Sequence, residues 1–308
     1  MATGDGATVG RLATGIGAVL RWFDEHRGAS GLPGKLPFWN CTDWCPEWDR
    51  GAPPGWDRGP TCVIACQWVA TLDAAADLLR AVEPDAARRW SEQATSAREA
   101  IRAQFWDGAR GLFRDCPDEP LFSQHGNAWA ILCGAAEDWQ QALVAPRLLD
   151  ADLSPASFFG LHAVGRALLR AGLPALTEAY LAPWREMLDA GLTTWAEEST
   201  YWRSLCHAWS ASPMLLLVEE ALGVRPLEPG FARILVEPRP RGLASCEGTI
   251  ATPRGPVRVA WEIDGDAGRL SVAWPGGVPC EIRSPDGTVI HSASGGEQLA
   301  FSCAALVN

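Results

Sequence analysis

Apolar residues recur at helical spacing in eight separate stretches up to Leu222, and beyond Gly223 the spacing shifts to the alternation of strands. In the first stretch, residues 9–27, Val9, Leu12, Ile16, Val19, Leu20 and Phe23 share one stripe. A Gly- and Pro-rich run from Gly28 to Pro37 ends it. Helices are predicted again over 61–82, 85–105, 123–133, 137–149, 157–171, 174–189 and 213–222. Residues 106–118 read as a turn region. Consecutive helical hairpins with no strand between them point to a helical toroid or solenoid. No fixed-length repeat supports a regular solenoid. After Gly223, Pro226, Pro229, Pro238 and Pro240 mark a boundary. Seven segments of strand length follow, at 232–236, 247–251, 257–263, 269–274, 280–283, 288–291 and 299–302. Turns such as Pro285-Asp286-Gly287 separate them. They predict an antiparallel β-sandwich. The chain is therefore expected to be an α+β multidomain protein, helical over 1–225 and β over 226–308.

Composition narrows the partners. A formal charge of −11 argues against nucleic acid and anionic membrane surfaces, which are themselves negative. No apolar run is expected to span a bilayer. The first residues lack the apolar region of a signal peptide, so reduced thiols in the cytoplasm are the expectation. Of the ten cysteines, Cys41 and Cys45, and Cys62 and Cys66, are the close pairs. Four thiolates can bind zinc. Cys62 and Cys66, one helical turn apart on an apolar face, also read as small hydrophobes, and no metal or cofactor is expected. Sixteen tryptophans stand against two tyrosines. An indole is large and needs either packing or a ligand to cover it.

The densest chemistry lies between Gly191 and Pro213. Glu197, Glu198, Arg203 and His207 fall there with Trp195, Trp202 and Trp209. The run is rich in Ser and Thr and lies between two amphipathic stretches. A carboxylate on such a loop can take a proton from water, and an indole can cover the apolar face of a sugar ring. A charged turn over a buried tryptophan gives the same letters. A second run, Phe38 to Trp48, interleaves acids and indoles, either as a binding surface or as an irregular connection pinned by buried tryptophan.

Five segments carry a family resemblance. They are Gly191 to Glu197 with Arg203 to Pro213, Leu222 to Phe231, Gly248 to Trp261, Trp39-Asn40-Cys41-Thr42-Asp43-Trp44, and Phe122 to Ala128. Together they resemble the bacterial α-L-rhamnosidases of glycoside hydrolase family 78, over nearly the whole chain. The resemblance implies an (α/α)6 barrel with a C-terminal β-sandwich, acting on terminal α-L-rhamnosides with inversion. In that scheme an acid protonates the leaving oxygen and a carboxylate activates water across the ring. Glu197 matches the family's general base, with Glu198 as the alternative. His207 matches a sugar-contacting position. Asp43 and Trp44 match a segment lining the sugar pocket. Trp195 either stacks on the sugar or packs, and Trp209 is expected to pack.

One element departs from the pattern. The family's general acid sits in an Asp-Cys-Pro-x-Arg type motif ahead of the segment matched by Asp43 and Trp44, and no such motif precedes Asp43 here. Asp115-Cys116-Pro117-Asp118 is similar in letters but follows Gly111-Leu112-Phe113-Arg114, the setting of a later helix connection. The helices are also fewer than six hairpins require. The expectation is thus a barrel incomplete at its N-terminal side, completed by a missing N-terminal polypeptide. The partner is expected to be a rhamnose-containing glycoside. The competing readings are a catalytically silent carbohydrate-binding fragment and another (α/α)6 enzyme, either an amylo-glucosidase-like hydrolase or a lyase. A lyase would draw its base from Tyr180 or Tyr201 and would need a basic patch.

Overall fold

The computed structural model describes residues 3–198, 203–240, 243–265, 267–285, 287–293 and 298–302, the last segment as backbone alone. Contacts divide the chain into two compact units, Ala7–Ser212 and, with the first six residues, Pro213–Asn308. The second unit thus begins ahead of the change of texture at Gly223.

Unit Ala7–Ser212 is helical. It holds α1 (Gly6–Glu25, apart from its first residue), α2 (Cys62–Leu79), α3 (Pro84–Phe105), α4 (Gln124–Leu132), α5 (Asp138–Val144), α6 (Phe158–Arg170) and α7 (Glu178–Asp189). Local chemistry sets the starts. Ser123, Ser157 and Thr177 each accept a backbone N–H from the first turn of α4, α6 and α7. Glu137 and Gln140 form a capping box on α5. Pro84 opens α3, where its missing N–H costs nothing.

Helix α2 is long and apolar enough to cross a membrane by length and composition, against the expectation that no run is. Its residues Val63, Ile64, Trp68, Val69, Leu72 and Leu79 are buried inside this unit, where α2 packs on α3 and α4. The region read as a plain turn contains a two-residue ladder, β1 (Trp106–Asp107) against β2 (Leu112–Phe113). Asp107 holds it by accepting the Ala109 and Arg110 amides and the Arg114 guanidinium.

Unit Pro213–Asn308 opens with most of α8 (Ser212–Leu216), which continues as a π-helical turn, Leu217–Leu222. Two four-stranded sheets follow. One has the order β10 (Gln298–Ser302), β7 (Ala267–Ala273), β6 (Gly255–Asp264), β5 (Ser245–Thr252) and is antiparallel throughout. The other has the order β3 (Val224–Pro226), β4 (Ile234–Val236), β8 (Cys280–Arg283), β9 (Val289–Ala293). Its β4–β8 pair is parallel, which corrects the expectation of a wholly antiparallel arrangement. β4 and β8 are joined through the other sheet rather than by a hairpin, and only a hairpin enforces antiparallel pairing. β3 was hidden by its proline at an edge position. Val224, Val236, Val259, Trp261, Leu270, Val272 and Ile282 share one core. Period-two burial along β6 shows why the alternation was readable.

Gly223 closes the π-helical turn at φ 71°. A Cβ there would stand 2.1 Å from the Glu237 carbonyl. Gly223→Ala is expected to cost at least about 2 kcal/mol, by combining left-handed strain with a backbone clash. Urea unfolding monitored on the buried Trp261 would measure it.

Candidate functional site

Helix α7 ends in a Schellman motif. Gly191 is left-handed at φ 75°, its N–H bonds Leu188 O at 2.9 Å, and Leu192 N–H bonds Met187 O at 3.0 Å. The chain then doubles back on itself. His207 N–H donates to Trp195 O at 2.7 Å, and Glu197 N–H to Arg203 O at 3.0 Å. This pairing brings Arg203 and His207 beside Glu197. Ser210 Oγ donates to Ala196 O at 2.5 Å, and Trp184 of α7 donates to Ser210 O at 2.6 Å, tying the loop to its helix. The tip residues 199–202, with Tyr201 and Trp202, lie outside the described residues.

The Glu197 carboxylate is 14% exposed and receives two parallel bonds from Arg203, from Nε and a terminal nitrogen, each 3.0 Å. Such a fork fixes a carboxylate's plane as well as its charge. Each oxygen keeps a second lone pair. His207 Nδ1 stands 3.9 Å from Glu197 Oε2 and 2.8 Å from Ser204 Oγ. Ser204 reaches it from a positive φ of 53°, a sparsely populated conformation for a non-glycine residue. The His207 ring lies 4.3 Å from Trp209, whose other neighbour is the half-exposed Phe159, at 5.5 Å. Trp209 is lodged between rings and packs, as expected. Trp195 is half-buried and supplies its carbonyl to His207. Glu198 is half-buried and, among the described residues, has no hydrogen bond or ion pair.

Asp43 is placed differently from the expectation. Its side chain is fully buried. Oδ1 accepts Trp44 N–H at 2.8 Å and the Ser157 hydroxyl, and Oδ2 accepts Ser157 N–H at 2.9 Å and His125 Nε2–H at 2.5 Å. These four donors fill its lone-pair sites. Asp43 therefore has nothing left for a sugar hydroxyl, which corrects its reading as a pocket-lining group. Burial pushes its pKa up, but the bonds from His125 and Ser157 outweigh that and hold the carboxyl below its ordinary value. Trp44, the next residue, points the other way. It is 46% exposed, edge-on to Trp39 at 5.5 Å.

Sequence reasoning missed what joins the two clusters. Ser157 caps α6 and grips Asp43, and Phe159, two residues on, meets Trp209. Gly160 lets Asp43 approach, because a Cβ there would stand 2.4 Å from Asp43 Oδ2. A serine before an apolar run signals a cap, but it does not disclose the distant acid.

Asp115 is 1% exposed and accepts Ser123 Oγ at 2.5 Å, while its Oδ2 is buried without a partner. Burial raises its pKa to about 6. Glu47, in contrast, is exposed and bonds the Ser154 hydroxyl. The Asp115 shift carries a stability consequence. Below the ordinary value of 3.8 the carboxyl is neutral whether folded or unfolded, so burying it costs little. Between about pH 4 and 6 the unfolded chain releases this proton and the folded chain keeps it, so stability falls as pH rises. Asp115→Asn is expected to flatten that dependence and to add about 1–3 kcal/mol at neutral pH. Urea midpoints at acid and neutral pH would check it.

Among the described residues, no group of three or more His, Cys, Asp or Glu side chains converges as a metal site. Cys62 and Cys66 touch through sulfur at 3.8 Å inside the helical core.

Comparison with known proteins follows the same division of the chain. Residues 1–221 match the model of the bacterial α-L-rhamnosidase six-hairpin glycosidase domain, and residues 223–297 that of the bacterial α-L-rhamnosidase C-terminal domain. An α-L-rhamnosidase of Alteromonas sp. (strain LOR) is 25% identical over 293 residues, which is 87% of this chain and 31% of that protein. A family 78 rhamnosidase structure from Bacillus sp. GL1 superposes with a TM-score of 0.83 at 23% identity, covering 93% of this chain and 32% of the other. The Streptomyces avermitilis α-L-rhamnosidase complexed with L-rhamnose gives 0.76 at 19% identity, covering 97% and 31%. The chain thus spans about a third of the length of these relatives.

Proposed function

Because the chain belongs to the bacterial α-L-rhamnosidase family, we propose that it carries the base half of an inverting glycosidase site acting on terminal α-L-rhamnosides. The observation that supports this most is the Glu197 carboxylate, held in plane by Arg203 with His207 and the Trp209 ring beside it. In this reading Glu197 takes a proton from a water molecule as the water attacks the anomeric carbon. Arg203 keeps the acceptor lone pairs aimed. His207 donates to a sugar hydroxyl, and the exposed aromatic edge of Phe159 meets the apolar face of the ring. Asp43 acts through Ser157, as a positioning residue for the α6 terminus.

The general acid is the open half. Asp115 lies in the sequence's nearest approach to the acid motif, but its burial and its bond to Ser123 keep it from a leaving oxygen. We infer that the acid comes from a further polypeptide segment outside these 308 residues. That burial also favours a second reading, a saccharide-binding chain without turnover of its own. Aryl and alkyl α-L-rhamnosides separate the two, because a good phenolate leaves without protonation. Slow hydrolysis of the aryl substrate and none of the alkyl one is the expected result, with NMR finding the β anomer of L-rhamnose formed first. No aryl turnover would leave the silent reading. Efficient alkyl cleavage that depends on Asp115 or Glu47 would overturn the assignment.

A further inference from the structure

A second feature of the helical unit, sharing no residue with the Glu197 loop, has the makings of a ligand site. Where the loop Leu36–Thr42 passes between α1 and α2 it leaves a cleft of about 320 Å³. That is at the small end of ligand-binding clefts, which run from about 300 to 1,000 Å³. Phe23, Trp39 and Trp68 form aromatic walls, and Gln67, Thr71 and Thr42 supply polar groups. No lining residue carries a charge.

Three details argue that something polar but neutral belongs there. Trp68 is 3% exposed, yet its indole N–H has no partner, and the buried Thr42 hydroxyl has none either. Buried polar atoms are nearly always bonded, so two orphans lining one cleft need explaining. An indole N–H only donates, so the missing partner must bring an acceptor oxygen. The Gln67 amide makes no hydrogen bond among the described residues, while Thr71 donates to Gln67 O at 2.8 Å and keeps acceptor capacity. A charged ligand would find no counter-charge and would lose its hydration. Water alone would satisfy the orphans but would gain nothing from the aromatic walls.

The mouth continues the pattern. Trp39 is 60% exposed, and its ring is fixed by a 3.0 Å bond from Nε1 to Arg50 O. Phe38 and Trp44 flank it, 72% and 46% exposed. Together they make a shelf of aromatic faces beside a small neutral cleft.

The geometry points to a second saccharide site, in which one neutral pyranoside ring enters the cleft against Trp39 and Trp68, hydroxyls bonded by Gln67, Thr42 and the Trp68 N–H. The next ring or a planar aglycone lies on the shelf. This assignment stands on the cleft alone and does not require Glu197 to be a base.

Saturation-transfer NMR on the full chain, with methyl α-L-rhamnopyranoside as probe, tests it. Glu197→Gln serves as background. Transfer to the ring protons is expected, and Trp39→Ala and Gln67→Leu should each weaken binding about fivefold. Glucuronate should not compete. Trp39 is a surface residue and Gln67→Leu is close to isosteric, so two independent variants guard against misfolding. Unchanged affinity in both variants would overturn the site, as would the absence of transfer. Affinity lost with His207→Ala, and not with these two, would place the sugar at the Glu197 loop and likewise overturn the cleft. A failure here would leave the aryl rhamnoside result untouched.

Discussion

Asp43→Ala is expected to destabilise the helical unit by about 3–5 kcal/mol, the range for removing one partner of a buried charged pair. The truncation strips acceptors from four donors at once: the Trp44 amide, the Ser157 amide and hydroxyl, and His125 Nε2–H. His125 has no reserve, because its Nδ1 is already buried without a partner. Losing the Ser157 contact also frees the cap of α6. Gly160→Ala should act in the same direction by another route. Its Cβ would press on Asp43 Oδ2 at 2.4 Å and on His125 Nε2 at 2.8 Å. Since both substitutions break one contact set, the double variant should cost clearly less than the sum. Equilibrium urea unfolding of the two single variants and the double would measure this. Additive losses would mean that Gly160 and Asp43 serve separate purposes.

Glu197→Gln is expected to lower turnover of an aryl α-L-rhamnoside by about 10²–10⁴ while changing stability by less than about 1 kcal/mol. Glutamine keeps the shape and one acceptor oxygen, but it cannot take a proton from water. The ion pair with Arg203 adds little to folding, because Arg203 is 60% exposed and solvent screens it. The loss should fall on kcat rather than KM, since the base acts in the transition state. Steady-state kinetics together with urea midpoints would separate these effects. A rate within twofold of the parent would remove Glu197 from the base role.

These two residues show how far the sequence could be read. The helical stripes were plain because each depends only on near neighbours, and α6 was visible from its own residues. So was the alternation along β6, where one face is buried. Asp43 and Trp44 read as a single pocket-lining pair because they are adjacent and chemically suggestive. In the folded chain they point opposite ways, one into a filled hydrogen-bond cluster and one to solvent. Nothing local could reveal that Ser157, 114 residues away, would claim the Asp43 carboxylate. The Glu197 loop lies between these extremes. Its acid, guanidinium and imidazole fall within one short run, so their meeting was foreseeable. The backbone pairing of Glu197 with Arg203 and of Trp195 with His207, which makes them meet, was not. Strand β3 was lost to Pro226, and the parallel β4–β8 pair to an assumption that short-turned strands all pair with their neighbours.

Chemical rescue tests the base assignment most directly. Azide needs no base, so it can stand in for activated water when the carboxylate is cut away. With a dinitrophenyl α-L-rhamnoside, azide forms its bond to the anomeric carbon as the phenolate departs with the electron pair, and no proton moves. Glu197→Ala is predicted to hydrolyse this substrate far more slowly than the parent chain and to regain turnover with added azide, yielding β-L-rhamnosyl azide. An α-configured azide, or a Glu197→Ala variant as fast as the parent without azide, would contradict the account.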